Sequence, residues 1–348
     1  SISVTKGSIV GGDASAISYA TNNVTTATTT NDGKGTVTQT ASSTNTIVGG
    51  PASVVNDGQV KGNVLADSAT SATVSNSGKI AGSATARSIV TATDSSSVTT
   101  DVGKASLQTI TETFTPVVAL GKASVTNAAG AVIGGDINVA AGEGAVTNNG
   151  IVGGTTVLGQ NIDTASRTEV RTDTSTETTY TPAAALLAQT YTANQNGVSG
   201  GFYVGGGLDN DPTGEGATKS SDVKATINLN SGSATLGSIF GELDDDGNRT
   251  TDTTVNLVGS GFLGADEIVY PGTPTSVLAD KRNPVLSLGK DAQAVFGGSN
   301  YQVRVVGVET LNKEGAGTFV INGAAYDPGL PGDDPAYTLD VGNFNIKA

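Results

Sequence analysis

The residues best suited to chemistry in this chain are acidic and amide side chains in two loops. They are Asp209, Asp211 and Glu215 in the first loop, and Asp244, Asp246 and Asn248 in the second. Both loops place oxygen ligands at alternate positions near a glycine, as calcium-binding loops do. Neither loop carries the complete spacing of an Asp-x-Asp-x-Asp-Gly run with a distal Glu. The pattern therefore predicts either a calcium site or two solvated turns.

Several reactive side chains are missing, because the sequence contains no Cys, His, Met or Trp. Without thiolates or imidazoles, the chain cannot form a Cys or His metal site, a Ser-His-Asp triad or a Cys-His pair. Cleavage of a polysaccharide by carboxylates alone remains an alternative. Such sites usually add Arg, Lys, His or aromatic side chains along one face, whereas the eight tyrosines here are scattered. We therefore expect a protein that is not an enzyme.

The charge balance and the terminal residues suggest where the protein works. The 18 basic and 32 acidic residues give a net charge of −14, which disfavours nucleic acids and anionic lipids as partners. No apolar run approaches the ~20 residues that span a bilayer. The first residues show no basic stretch followed by an apolar one, so we expect a mature product whose signal peptide has been removed. Together with the lack of Cys, this favours an extracellular location on a bacterial outer surface.

The elements that must position these residues follow from a repeated phrase. It consists of an apolar residue, Thr-Asn or a similar pair, a glycine, a β-branched pair and Gly-Gly. Its central glycines are Gly7, Gly58, Gly78, Gly130, Gly150 and Gly197. The successive gaps are 51, 20, 52, 20 and 47 residues, which gives a super-repeat of about 72 residues present three times. A β-rich phrase that recurs after 20 residues is typical of one coil of an all-β solenoid.

The long gaps each hold about 30 extra residues rich in Thr, Ser, Ala and Val. These segments lie near residues 14–45, 84–119 and 164–192. Thr and Val favour extended backbone, and the Asp32-Gly33 pair is a hairpin turn signal. The sequence therefore predicts three two-stranded β-hairpin arms that leave the solenoid at equivalent places. An isolated hairpin is marginal in water, so the arms should rest on one another, on the solenoid or on a neighbouring molecule.

From about residue 217 the inward positions carry larger apolar side chains. We therefore predict two parts, a solenoid with three super-repeats and hairpin arms over 1–216 and a more regular solenoid over 217–348. The segment "VETLNKEGAGTFVINGAA" begins at Val308, and "YTLDVGNFNI" begins at Tyr337. The two segments resemble the repeat of bacterial autotransporter passenger domains. The matching residues are Leu311, Lys313, Gly315, Gly317, Thr318, Leu339, Val341 and Gly342. This resemblance implies a right-handed parallel β-helix, export to the outer surface, and adhesive or scaffolding work.

Two functions of different class fit these features. The first is a self-assembling structural protein, a subunit of a surface filament or layer that associates through its end strands and hairpin arms. The apolar alternation at both ends of the chain favours this hypothesis, because uncapped solenoid ends are templates for further strands. The alternative is that residues outside this chain cap the two ends. The second is an autotransporter-type adhesin that binds glycans or the surfaces of host or neighbouring cells. No cofactor is expected apart from calcium at the acidic loops.

Overall fold

A computed structural model describes the chain from residue 1 to residue 347, apart from 34–35, 102–107, 184, 208–220, 245–247, 265–267, 271–276, 279–284, 287–293, 297–302 and 323–336. Within these described ranges, every regular element is a β-strand. The prediction of an all-β chain is therefore confirmed. No helix of the described part is long and apolar enough to cross a membrane.

The chain runs in successive circuits, called coils here, and most coils contribute three strands. Coils one to three and the first two arms contain β1 (Ile2–Val4), β2 (Ile9–Val10), β3 (Ala14–Asn31), β4 (Val37–Gly49), β5 (Ala52–Asn56), β6 (Gln59–Val60), β7 (Val64–Ser68), β8 (Ser71–Asn76), β9 (Lys79–Ile80), β10 (Ala84–Asp101) and β11 (Gln108–Leu120). Coils four to six and the third arm contain β12 (Lys122–Asn127), β13 (Val132–Ile133), β14 (Ile137–Ala141), β15 (Glu143–Asn148), β16 (Ile151–Val152), β17 (Thr155–Leu158), β18 (Ser166–Arg171), β19 (Thr176–Thr181), β20 (Leu187–Gln195), β21 (Val198–Ser199) and β22 (Gly201–Val204). The remaining strands are β23 (Ser221–Leu229), β24 (Ala234–Thr235), β25 (Ile239–Gly241), β26 (Thr251–Val258), β27 (Gly261–Gly264), β28 (Ile268–Tyr270), β29 (Val277–Leu278), β30 (Val285–Leu286), β31 (Ala294–Phe296), β32 (Val303–Glu314), β33 (Phe319–Asn322) and β34 (Tyr337–Lys347).

Strands at the same position of successive coils pair in parallel and form three long stacks. The first stack contains β1, β5, β8, β12, β15, β20, β23, β26, β32 and β34. The second contains β2, β6, β9, β13, β16, β21, β24, β27 and β33. The third begins with β3 and continues through β7, β10, β14, β17, β22 and β25 to the first half of β32. Long parallel stacks of this kind are compatible with a β-solenoid.

The core is a column of side chains of similar size. In the first stack, one inward position is filled in successive coils by Val54, Val74, Val125, Val146, Ala193, Ile227, Val255 and Leu311, all of them buried. Small β-branched residues fill most of this narrow core, and the aromatic side chains of Tyr191 and Phe202 are also buried in it. Each such side chain contributes about 1.5–3 kcal/mol by leaving water.

The larger residues expected inward after residue 217 are mostly in that core. Six of them are buried in that core, whereas Leu236 is buried outside it; the six are Ile227, Leu229, Ile239, Val255, Leu257 and Leu263. Phe262 is only partly buried and packs against a smaller second cluster. The remaining expected core residues, Leu286, Leu288, Val295 and Phe296, have side chains that lie outside the described part.

A ladder of buried amides fixes one corner of coils two to six. Asn56, Asn76 and Asn127 each donate a side-chain N–H to Oδ1 of the asparagine one coil further on, at 2.8 Å in every case. Asn148 ends the ladder by donating to Oε1 of Gln195 at 3.0 Å. Three of these asparagines also accept the backbone N–H two residues ahead, at Gly58, Gly78 and Gly150. The Asn-x-Gly phrase of the sequence is thus a corner bonded to the neighbouring coils, and the ladder ends at Gln195, whose buried Nε2 atom has no partner among the described residues.

The stacks continue across residue 216, the predicted boundary between two segments. Strand β20 pairs with β23 in unbroken register from Leu187 opposite Ser221 to Gln195 opposite Leu229. The segments before and after that boundary therefore share the same parallel stacks.

Candidate functional site in the arm sheet

The three predicted arms pair with one another in a single antiparallel sheet. We call this the arm sheet, made of β3 from Tyr19 onward, β4, β10 from Ile89 onward, β11, β18 and β19. The strands of each arm pair with each other, β4 pairs with β10, and β11 pairs with β18. The predicted segments 14–45 and 84–119 agree to within a few residues with the strand pairs β3–β4 and β10–β11 of the first two arms. The third arm is shorter, with six residues in each strand.

One face of the arm sheet carries a row of hydroxyl groups. Six directly opposed residues, one from each strand, are Thr26, Ser42, Ser96, Thr113, Thr168 and Thr179. The hydroxyls of Thr26 and Ser42 are 2.8 Å apart, and those of Thr113 and Thr168 are 3.4 Å apart. Cross-strand threonine pairs of this type stabilise antiparallel sheets by a few tenths of a kcal/mol up to about 1 kcal/mol each.

The opposite face carries Phe114 together with a cluster of charged side chains from the second and third arms. The guanidinium carbon of Arg167 lies 4.4 Å from the centre of the Phe114 ring, which is a cation–π contact. Arg171 forms ion pairs with Glu112 at 3.0 Å and with Glu169 at 2.7 Å. The hydrogen bond from Arg171 is the main reason that the pKa of Glu169 lies below its usual value. These contacts hold the short third arm against the second.

A depression of about 270 Å³ lies beside this charged cluster. Its lining residues include Ala27, Ala41, Ser43, Ser95 and Ser97 as small side chains, with Glu112 and Phe114 as larger ones. Hydroxyls, a carboxylate and an aromatic ring around a shallow depression are groups that can contact a sugar. The sequence did not indicate this feature, because it depends on the register between strands of different arms.

The outer edge of β3 has no neighbouring strand among the described residues between Tyr19 and Asn31. This stretch of 13 residues contains no charged residue and no proline. Its side chains from Ala20 onward are exposed, and Val24 is 63 % exposed. Such an edge presents a row of backbone groups that can pair with another strand.

An ion pair lies where the first two arms leave the coils. Arg87 donates from Nε to Oδ2 of Asp67 at 3.1 Å, and its terminal N–H group contacts the same oxygen. This hydrogen bond raises the pKa of Arg87, against the opposing effect of burial. The side chain of Asp67 is almost fully buried, and its Oδ1 atom has no hydrogen-bond partner. A buried charge of this kind depends on its one partner, so the pair is a sensitive point at the base of the arms.

The predicted calcium residues are only partly within the described structure. Asp209, Asp211, Glu215 and Asp246 lie outside the described residues. Asp244 and Asn248 are described, and both carboxylate oxygens of Asp244 accept hydrogen bonds from Asn248, at 2.7 and 3.0 Å. In the described ranges, no three Asp, Glu, His or Cys side chains form a group that could hold a metal ion. Calcium binding stays a prediction, which calorimetric titration against a chelator-treated sample tests.

An antiparallel bridge between Leu243 and Arg249 joins the two ends of the second acidic loop. The loop follows the seventh coil, whereas the three arms follow the first, third and fifth coils. Glu242 at its base is buried and accepts hydrogen bonds from the Gly207 N–H at 2.8 Å and from the Thr250 hydroxyl at 2.9 Å. The loop therefore occupies the position at which the pattern places a fourth arm.

Comparisons with known proteins give no relative of this chain. No family model, curated protein or solved structure matches it.

Proposed function

We propose that this protein is an extracellular structural protein whose copies self-assemble into a surface filament or layer. The observation that best supports the proposal is the open edge of β3. Soluble proteins usually protect long edge strands with charges, prolines, bulges or a covering segment, because an open edge invites pairing with another chain. The stretch from Tyr19 to Asn31 has no charge and no proline. An edge of this kind suits a protein that pairs with its own copies.

Strand β34 carries two exposed apolar side chains. Phe344 of β34 lies in register with the buried Leu311 of β32, yet it is 55 % exposed. Ile346, two residues further along the same strand, is 77 % exposed. Further parallel strands added to β34 would bury both side chains in the way that each coil buries those of the one before. Contacts through end strands and through the arm sheet would together extend an assembly in more than one direction.

The remaining features of the proposal come from composition and resemblance. The resemblance to passenger-domain repeats implies a right-handed parallel β-helix and a location on a bacterial outer surface. We include this handedness and this location in the proposal. The net charge of −14 favours solubility before assembly. The lack of Cys and His leaves carboxylates as the main candidates for catalysis. Sites that use carboxylates usually add Arg, Lys, His or aromatic side chains along one face, and the tyrosines here are scattered, so we propose that the protein is not an enzyme.

Electron microscopy of negatively stained material and sedimentation velocity test this proposal. The purified chain is expected to form dimers and larger assemblies as its concentration rises, and the experiment is repeated with calcium. Discrete monomers at every concentration, with and without calcium, would contradict self-assembly.

A glycan-binding adhesin is the second candidate, and the depression beside Phe114 favours it. A sugar could place a C–H face against the ring while its hydroxyls bond to Glu112 and Ser95. A glycan array probed with the wild-type chain and with Phe114→Ala tests this alternative. Binding by the monomer that is lost in the variant would favour the adhesin over the structural protein.

A further inference from the structure

The backbone groups that β3 offers at its open edge can be identified from one hydrogen bond. The N–H of Asp32 donates to the carbonyl oxygen of Thr36 at 3.2 Å, which continues the register of β3 with β4. In an antiparallel ladder, alternate residues point their N–H and C=O groups toward the same neighbour. The even-numbered residues of β3 therefore bond to β4. The odd-numbered residues point outward; they are Thr21, Asn23, Thr25, Ala27 and Thr29.

The molecule already joins its own arms through edges of this type. The first arm meets the second through seven directly opposed pairs, from Val37 opposite Asp101 to Ser43 opposite Ser95. The strand that the first arm contributes there, β4, has no charged residue, as is also true of β3 beyond Tyr19. Two copies with a net charge of −14 repel each other, and an uncharged strand allows their closest approach. A second copy is therefore the occupant that best fits this edge.

The direction of approach follows from the coils beyond the third arm. Suppose that β19 of a second copy paired with β3 of the first copy and that the arms of both copies pointed the same way. The coils of the second copy from the sixth onward would then occupy the space of the first copy's own first coils. A two-fold axis normal to the sheet avoids this overlap, because the second set of arms then enters from the opposite side. The stretch from Tyr19 to Asn31 has Thr25 at its centre, and Thr25 points its backbone groups outward.

We propose that β3 pairs antiparallel with β3 of a second copy, about a two-fold axis at Thr25, and that two six-stranded arm sheets thereby become one. This contact rests on the proposed function, since it names one interface of the assembly. The interface is isologous, so it closes at a dimer.

Proline substitutions at the two edges of the arm sheet test the pairing. Ala27→Pro removes an outward N–H of β3 without breaking the ladder with β4. Thr178→Pro is the matched control on β19, because the bond from the Thr172 N–H to the Ser175 carbonyl places the even residues of β19 outward. We expect Ala27→Pro to weaken dimerisation at least about tenfold in sedimentation equilibrium, while Thr178→Pro leaves it unchanged. Far-ultraviolet circular dichroism verifies that both variants retain the sheet.

Cysteine crosslinking gives an independent measurement, because the chain has no cysteine of its own. Opposed residues of a hydrogen-bonded antiparallel pair have Cα atoms about 5.5 Å apart, within the range of a disulfide. Mild oxidation of Thr25→Cys is expected to yield a covalent dimer, whereas Thr178→Cys stays monomeric on a denaturing gel.

The outcomes separate the interface from the proposed function. If the wild-type chain assembles but Ala27→Pro assembles equally well and Thr25→Cys does not crosslink, the β3 pairing is wrong while self-assembly stands. If both proline variants lose the dimer, the edges pair head to tail and the two-fold arrangement is wrong. If the wild-type chain remains monomeric throughout, both proposals fail.

Discussion

Ser43 lies directly opposite Ser95 where the first arm meets the second. Adjacent strands are about 4.8 Å apart in any sheet, so two coils advance along the stack by about the same 9.6 Å as the two strands of one arm. An arm after every second coil therefore meets the next arm at the spacing of a sheet. This match accounts for the super-repeat, which contains two coils and one arm, and it explains why the second and fourth coils are followed by tight links.

The junction between the first two arms should depend on Asp94. Its Oδ1 accepts a hydrogen bond from the backbone N–H of Asn45 at 2.6 Å, and the Asn45 side chain donates to the Thr93 carbonyl at 2.6 Å. We expect Asp94→Ala to lower the local stability of the first arm by about 1–3 kcal/mol, because a hydrogen bond to a charged group is lost. Hydrogen exchange of peptides from 19–49 should accelerate. Asp57→Ala, at a coil corner, should leave that exchange unchanged.

The buried amide ladder predicts a larger, global effect. Asn127 donates to Oδ1 of Asn148 and, at 3.2 Å, to the carbonyl of Ile151, and it accepts from Asn76. Asn127→Leu removes these bonds and takes one hydrogen-bond partner from each of the side-chain amides of Asn76 and Asn148, which should cost about 2–4 kcal/mol. Urea unfolding measures the change, with the exposed Asn22→Leu as control. A loss below about 0.5 kcal/mol would mean that the ladder contributes little to stability.

The repeat of Asn and Gly was sufficient to predict coils, because a corner and its two flanking strands are local features. The hairpin arms were also visible, since Thr-rich alternation and an Asp-Gly turn determine a strand pair within about 35 residues. The pairing of Thr113 with Thr168 was not predictable, because their register depends on how far each arm rises from its coil. The ion pair of Asp67 with Arg87 was missed although the two residues are 20 apart and directly opposed in neighbouring coils, so the period of the coil could have indicated it. Each residue alone has the appearance of an isolated surface charge.

Close packing of coils at the corners predicts a strong effect of one methyl group. A Cβ atom added to Gly78 would overlap the backbone carbonyl of Gly58 in the preceding coil. Backbone cannot move aside as a flexible side chain can, so Gly78→Ala should destabilise the chain by about 1–3 kcal/mol. Gly12→Ala is the matched control, because a Cβ atom there meets nothing within 4 Å. Thermal unfolding of the two variants should differ by several degrees.

The third arm should respond to acid through Glu169. Its pKa is lowered chiefly by the hydrogen bond from Arg171. A carboxyl with a lowered pKa in the folded state adds stability above its unfolded pKa, and this is lost as the pH falls through the folded value. The titration midpoint of Glu169 in carboxyl-detected NMR should lie below that of an ordinary glutamate. Arg171→Gln should return it toward the ordinary range, whereas the distant Arg249→Gln should not.

Tyr191 provides the complementary test at high pH. Its ring is almost fully buried, and its hydroxyl lies 2.8 Å from the carbonyl oxygen of Ala141 and 2.7 Å from Oε1 of Gln189. Burial raises the pKa of this phenol well above its ordinary value. The unfolded chain ionises near pH 10 while the folded chain does not, so the contribution of Tyr191 to stability should be constant below that pH and fall above it.

Ultraviolet titration and unfolding measurements distinguish Tyr191 from the other tyrosines. Burial raises the pKa of both Tyr191 and Tyr203, so these two phenols should ionise later than ordinary tyrosines in the folded wild-type chain, and Tyr191→Phe should remove the step that persists until the protein unfolds. The same variant leaves the N–H of Ala141, which donates to the hydroxyl at 3.0 Å, without this acceptor. It should therefore lose about 1–3 kcal/mol at neutral pH. Since Tyr191 joins the fourth coil to the sixth, ionisation of all eight tyrosines near pH 10 in a still folded chain would show that this contact is open to water.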